Sequence, residues 1–260
     1  NVIVTNIDAE HLDYYKSYKD LKIAFKKFIN NIPFYGLAVI CIDNSTIQSI
    51  ISEIEDKKII TYGLSPQADF RAKNIIFKDG KTFFSLEISP KKDSSAKIIN
   101  NMVSNIPGIH NVQNVLAVCA MASELGVPLN VIKPALDEFE GVNRRFSLIK
   151  NFRGVKIFDD YGHHPAEIQA TLSTAKEVWP NRRLVVVFQP HRFSRTQHLM
   201  ESFYSSFNDA DQLFLLDIYG AGEKPIEGIH SQKMAQGIQE FGHKNVDYID
   251  KVEILVPHLQ

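Results

Sequence analysis

The sequence predicts an α/β protein, on three observations. Continuous β-branched apolar runs, clearest at 37–42 and 184–188, alternate with segments whose apolar residues recur at helical spacing. In the second half this strand and helix rhythm repeats in the manner of a doubly wound sheet. Two polar loops, Asp159-Asp160-Tyr161-Gly162-His163-His164-Pro165 and Gln189-Pro190-His191-Arg192-Phe193-Ser194-Arg195-Thr196, each follow a strand-like run and open a helix-like one. In an open α/β sheet that is where ligands bind.

The elements follow in order. Residues 1–6 read as a strand. Ser17-Tyr18-Lys19-Asp20 is like a capping box with Asp in place of Glu, and Leu21, Ala24, Phe25, Phe28 and Ile29 behind it give a helix one apolar face. Strands are expected at 37–42 and 58–62, with a helix at 45–54 between them. Segments 68–77 and 81–88 flank Asp79-Gly80, a strong hairpin signal, and 89–95 reads as a polar surface loop. An alanine-rich helix follows Gly108-Ile109-His110-Asn111, runs to Leu125 and is closed by Gly126. A further helix is expected near 131–139. Gly141-Val142-Asn143 reads as a hinge, which divides the chain into domains 1–142 and 143–260. Beyond it come a hairpin (146–150 and 155–159) around Arg153-Gly154 and a helix at 165–178 with Pro165 in its first position. A buried strand at 184–188, a helix at 194–207, a strand at 213–217 and a helix near 231–241 complete the pattern.

Bulk properties exclude several classes. With 29 basic residues against 30 acidic ones, the chain lacks the basic excess of a nucleic-acid binder. Its apolar runs are far too short to span a membrane, and no charged-then-apolar signal segment opens it. Cys41 and Cys119 both lie inside apolar runs and read as core residues of a reduced, cytoplasmic protein rather than as a disulfide or metal ligands. The strand-like opening without Met suggests a piece of a longer protein whose upstream portion is missing.

Candidate chemistry sits in five places. His11 lies in a polar cluster (residues 5–13) just past a strand, where imidazole and carboxylate oxygens suit a divalent cation near phosphates; a solvated turn is the simpler reading of the pattern. Asn111 and Asn114, three apart at a helix start, share a face, and their amides can both donate and accept as an adenine edge requires. Asn111 could instead be an N-cap. Arg144-Arg145 follows the hinge and offers a guanidinium fork for phosphate, or a solvated pair on a linker. Asp160 ends a strand, where a carboxylate can accept from ribose hydroxyls or from backbone donors, and His163 and His164 precede a helix start that favours anions. His191, Arg192 and Arg195 surround the second turn, where two arginines and a helix N-terminus make a carboxylate or diphosphate clamp. The segment 219–225 is Gly-rich but carries no Walker A spacing, and a flexible turn is its default reading.

Six segments in this order, TNIDAEHLD (5–13), PFYG (33–36), GIHNVQN (108–114), GVNRRF (141–146), DDYGHHP (159–165) and FQPHRFSRT (188–196), closely resemble the Mur ligases, the ATP-dependent amide ligases of bacterial peptidoglycan synthesis. The resemblance covers essentially the whole chain. It implies part of a central ATP-binding α/β domain followed by a Rossmann-like C-terminal domain. The family's phosphate loop, a magnesium-binding glutamate and a UDP-binding domain would lie upstream, leaving this chain by itself incomplete. By motif, His11 resembles the magnesium-site histidine, Asn111 and Asn114 match positions near adenine, Arg145 resembles the arginine that reaches the nucleotide phosphates, and Asp160 a nucleotide-contacting aspartate. Tyr161, His163, His191, Arg192 and Arg195 resemble the residues around the sugar-linked carboxylate and the incoming amino acid. The last two segments are particular to the branch that joins L-alanine to UDP-N-acetylmuramate, so the implied cofactors and partners are ATP, Mg2+, UDP-N-acetylmuramate and L-alanine. A tripeptide-recycling ligase, a non-catalytic nucleotide-binding module and a metallohydrolase built on His163, His164 and His191 are the competing readings.

Overall fold

Leu37–Cys41 is buried at every position because it is an inner strand of a sheet with strands on both sides. The structure, a computed structural model, describes residues 1–9, 12–89 and 95–250. The chain divides into two units, Asn1–Glu140 and Gly141–Gln260. The sheet of the first unit follows sequence order: β1 (Val2–Val4), β2 (Leu37–Cys41), β3 (Lys58–Gly63), β4 (Phe70–Lys78), β5 (Lys81–Ile88) and β6 (Lys97–Ser104). The first four strands pair in parallel, and β4, β5 and β6 pair antiparallel. The β4–β5 turn has Asp79 at φ +54° and Gly80 at φ +77°, the left-handed pair a two-residue hairpin turn requires. β6 was not expected, because Asn100-Asn101 interrupts its apolar pattern.

The helices of this unit are α1 (Leu12–Tyr15), α2 (Tyr18–Asn30), α3 (Ser45–Ile51), α4 (Ile109–Glu124) and α5 (Leu129–Glu138). Ser17 caps α2 as its sequence suggests: its hydroxyl accepts the Asp20 N–H at 3.1 Å and donates to the Asp20 carboxylate at 2.5 Å. Leu21 and Ile29 are buried, whereas Phe28 stays 54% exposed. α4 buries Val112, Val115, Leu116, Ala117, Cys119 and Ala120 against the sheet. Cys41 and Cys119 are both buried free thiols, and burial pushes Cys119 up to about 12.

The second unit holds a hairpin of β7 (Ser147–Phe152) and β8 (Val155–Asp159), then α6 (Pro165–Val178), β9 (Val185–Phe188), α7 (Phe193–Tyr204), β10 (Gln212–Leu216), α8 (Ser231–Glu240) and β11 (Val246–Ile249). β9, β10 and β11 form a parallel sheet in sequence order. Successive crossovers in one direction put their helices on one face. Leu213 and Leu215 accordingly join Ile168, Leu172, Met200, Phe203, Met234 and Ile238 in one core, while Phe214, Leu216 and Ile249 cluster apart from it. The described part of this unit is therefore wound on one side rather than doubly wound. Among the described residues β9 is the edge of the sheet, and Val185 and Val187 are 38% and 43% exposed, not buried as their apolar run suggested. Among the described residues no helix is long and apolar enough to cross a membrane.

Candidate active site

The segment Gly141–Phe146 is held in a strained backbone. Gly141 has φ +103°, and both residues flanking Arg145 are left-handed, Arg144 at φ +61° and Phe146 at φ +51°. Such positions cost about 1–3 kcal/mol each in residues with a Cβ. Local contacts offset them. The Phe146 ring stacks on Phe158 at 4.8 Å, its N–H donates to Asp160 Oδ2 at 2.8 Å, and the Arg144 carbonyl accepts the Tyr161 N–H at 2.7 Å. Arg144 pairs with Asp159 at 3.3 Å and Arg145 with Glu167 at 2.9 Å, so neither is the solvated linker arginine of the simpler reading. Both guanidiniums are about half exposed, and pairs of that kind are worth about 0–1 kcal/mol. Their placement, more than stability, is what these contacts supply.

The first strand-end loop is organised by two carboxylates. Asp160 Oδ1 accepts the Gly162 N–H at 2.7 Å while Oδ2 holds Phe146, so both oxygens serve backbone donors. A Cβ at Gly162 would stand 2.7 Å from Asp160 Oδ1, which explains the glycine. Glu167 was missed by sequence reasoning, although its place three residues past the N-cap His164 is a capping-box position. Its Oε2 accepts the N–H groups of His163 at 3.0 Å and His164 at 3.2 Å, and its Oε1 accepts from Arg145. Burial raises the Glu167 pKa, but the His163 amide and the Arg145 guanidinium outweigh it and leave the carboxyl below its ordinary value. The His163 ring lies edge-on to Tyr161 at 5.0 Å, and Tyr161 also faces Arg144 at 4.8 Å and Arg145 at 5.7 Å.

The second loop meets the first. The His163 and His191 rings are 6.2 Å apart, and Tyr219 lies 5.6 Å beyond His191. Arg195, one helical turn on, places its guanidinium 3.3 Å from His191 Nδ1. Burial lowers the His191 pKa first, and the charges of Arg195, His163 and Arg192 lower it further, which favours the neutral imidazole. Arg192 caps α7 at φ +70°, its N–H donating to Tyr219 O at 2.8 Å while the Tyr219 N–H donates to Pro190 O at 2.8 Å. The Gly-rich segment is thus a capping loop rather than a flexible turn. Its Glu223 accepts from Ser194 N at 2.9 Å and from Ser194 Oγ at 2.7 Å. Burial raises the Glu223 pKa, but these two bonds outweigh it and hold the carboxyl below its ordinary value. Carboxylates of the chain thus lie at both helix starts, Glu167 on the His163 and His164 N–H groups that lead into α6 and Glu223 on the Ser194 N–H in the first turn of α7.

The remaining candidates lie in the first unit. Asn111 is not the N-cap of α4; Gly108 is, at φ +111°. The Asn111 amide donates to Pro107 O at 2.8 Å, and Asn114 Nδ2 lies 3.5 Å from Asn111 Oδ1, so the two do share a face. Asn114 is the exposed member of the pair. His11 lies outside the described residues. Among the described residues no group of three or more His, Cys, Asp or Glu side chains could hold a metal ion, so His163, His164 and His191 do not assemble into the ligand set a metallohydrolase needs.

Residues 1–122 match the family model of the Mur ligase middle domain, and residues 144–260 that of the Mur ligase glutamate ligase domain. The UDP-N-acetylmuramate--L-alanine ligase of Desulforapulum autotrophicum is 48% identical over 243 residues, covering 94% of this chain and 52% of that protein. The solved UDP-N-acetylmuramate-alanine ligase of Thermotoga maritima aligns with a TM-score of 0.72 at 28% identity, covering 97% of this chain and 51% of that one. The MurF ligase of the same organism, solved in complex with ADP, shares the fold at 16% identity and a TM-score of 0.72, over 99% and 54% of the two chains. The chain spans about half the length of the curated relatives it matches.

Proposed function

Because the chain belongs to the Mur ligase family, we propose that the protein carrying it joins L-alanine to the lactyl carboxylate of UDP-N-acetylmuramate with cleavage of ATP, in the cytoplasmic synthesis of bacterial peptidoglycan precursors. The observation that carries this reading is the meeting of Arg145, Tyr161, His163, His191 and Arg195, from a strained hinge and two strand-end loops, in one cationic, imidazole-bearing cluster. Such a cluster suits holding two anionic substrates together, where positioning and charge neutralisation supply most of the rate.

In this reading domain 1–142 takes the nucleotide, with Asn111 and Asn114 at the adenine, and domain 143–260 brings Arg145 to the phosphates and Asp160 to the ribose. Each Asp160 oxygen keeps a second lone pair for a hydroxyl. A lactyl carboxylate oxygen attacks the γ-phosphorus, the bond to the β–γ bridging oxygen breaks, and ADP leaves an acyl phosphate. The uncharged amine of alanine attacks the carbonyl carbon, and phosphate departs with the bonding pair. The nitrogen's surplus proton passes to a neutral imidazole, for which His191 is poised, and Arg192, Arg195, His163 and Tyr161 hold the carboxylates. Magnesium, for which the donor types at Asp8 and His11 are suitable, neutralises phosphate charge when bound.

The test is ADP release by the full-length protein with ATP, Mg2+ and UDP-N-acetylmuramate. Release that depends on L-alanine is the expected result. Release with tripeptide alone moves the protein to the recycling branch, and no release under any condition removes the ligase reading.

A further inference from the structure

Glu167 divides its two carboxylate oxygens between two tasks. Oε2 accepts the N–H groups of His163 at 3.0 Å and His164 at 3.2 Å, which fixes the loop carrying Tyr161 and His163 to the start of α6. Oε1 accepts from the Arg145 guanidinium at 2.9 Å, across 22 residues of sequence. Arg145 comes from the strained hinge, where Arg144 and Phe146 restrict its backbone, while its side chain remains about half exposed. The Tyr161 ring lies 5.7 Å from the same guanidinium. One carboxylate therefore ties the hinge arginine to the histidine loop.

We infer that Glu167 is a positioning residue for the ligase reaction, aiming Arg145 at the anionic substrate through one oxygen while the other holds the histidine loop in register with it. The inference rests on the proposed ligase activity. A simpler role would confine Glu167 to capping α6, a position that favours Glu in any helix. The division of oxygens lets the two roles be told apart. In Glu167→Gln the amide carbonyl still accepts from His163 and His164, because the NH2 group cannot. That NH2 then faces the Arg145 guanidinium, and two donors meet where an ion pair was. The cap survives and the aim is lost.

The experiment compares the full-length wild type, Glu167→Gln, Glu167→Ala, Arg145→Ala and the Glu167→Gln/Arg145→Ala double variant, by steady-state kinetics in ATP and thermal unfolding. Positioning errors of this size cost up to about 100-fold. Glu167→Gln is expected to keep the wild-type Tm within about 2 °C and to lower kcat/KM for ATP by roughly 10- to 100-fold, whereas Glu167→Ala also loses Tm. The double variant should be no slower than Arg145→Ala alone, since both changes remove one interaction. Wild-type kinetics in Glu167→Gln, losses that multiply in the double variant, or a Glu167→Gln protein that loses its fold would each overturn the inference. An inactive wild type would instead overturn the ligase reading, and this inference with it.

Discussion

The helices that carry candidate residues in the two units are started on two different plans. In the first unit α4 begins at Gly108, with φ +111°, no side-chain cap and no acidic residue in its first turn. In the second unit α6 and α7 begin on carboxylates, Glu167 from within the helix and Glu223 from a loop 29 residues downstream. A helix start carries unpaired N–H groups and a partial positive charge. Where a carboxylate of the chain already sits on those groups, they offer little to a ligand anion. In the proposed reading, grip on anions in the second unit falls to side chains, namely Arg145, Arg192, Arg195 and the histidines. The first unit starts α4 without an acidic residue in its first turn and places polar amides, Asn111 and Asn114, on the face beside it.

The sharpest break of that contrast is Arg145→Ala. If side chains carry the grip, turnover of the full-length protein should fall at least about 100-fold with Tm little changed, since a half-exposed pair contributes about 0–1 kcal/mol. Turnover within a few-fold of wild type would return the grip to the backbone. Next in size is Gly108→Ala, which forces a Cβ into a left-handed start of α4 and should cost about 1–3 kcal/mol in denaturant unfolding. An unchanged midpoint would show that α4 can restart in another geometry.

Glu223→Ala removes the acceptor of the Ser194 N–H and hydroxyl and should cost about 1 kcal/mol, the usual worth of an N-terminal cap. Glu223 is held below its ordinary carboxyl value, so the stability it supplies is full above that value and drains as pH falls through the lowered one. Urea unfolding from pH 6 to pH 3 should therefore show a shallower acid decline in the variant, and parallel curves would count against the cap. The smallest effect expected is on the pH profile of kcat/KM. Burial and Arg195 push the His191 pKa down, which puts the acid limb below the ordinary histidine value of about 6.5. Arg195→Gln removes one of the two leading causes and should move that limb upward, whereas a limb that stays put would release His191 from its proposed role.

Much was legible in the sequence because it was local. Ser17 caps α2, Asp79-Gly80 turns a hairpin and Pro165 opens α6, each through contacts within a few residues. The two strand-end loops were legible for the same reason, since a polar stretch between a β-branched run and a helical one marks where a strand hands over to a helix; β9 proves to be parallel and β8 half of an antiparallel hairpin. Periodicity also told which way a side chain points, but not what lies opposite. Phe28 sits in the apolar stripe of α2 and is still 54% exposed, and Val185 and Val187 belong to an apolar strand that proves to be an edge. β6 and β11 escaped notice because short or Asn-broken strands are defined by their partners, not by their own pattern.

The sequence by itself determined the α/β class, the positions of most elements and the loops that carry the candidate residues, because these follow from backbone preference and hydrophobic spacing over a few residues. Only the tertiary structure decided how the charges are spent: that Asp160 serves two backbone amides, that Glu167 joins Arg145 to the histidine loop, and that Glu223 reaches back to close α7. Hydrogen bonds and ion pairs act over about 3 Å of space and are indifferent to distance along the chain, so their partners exist only once the fold has brought them together.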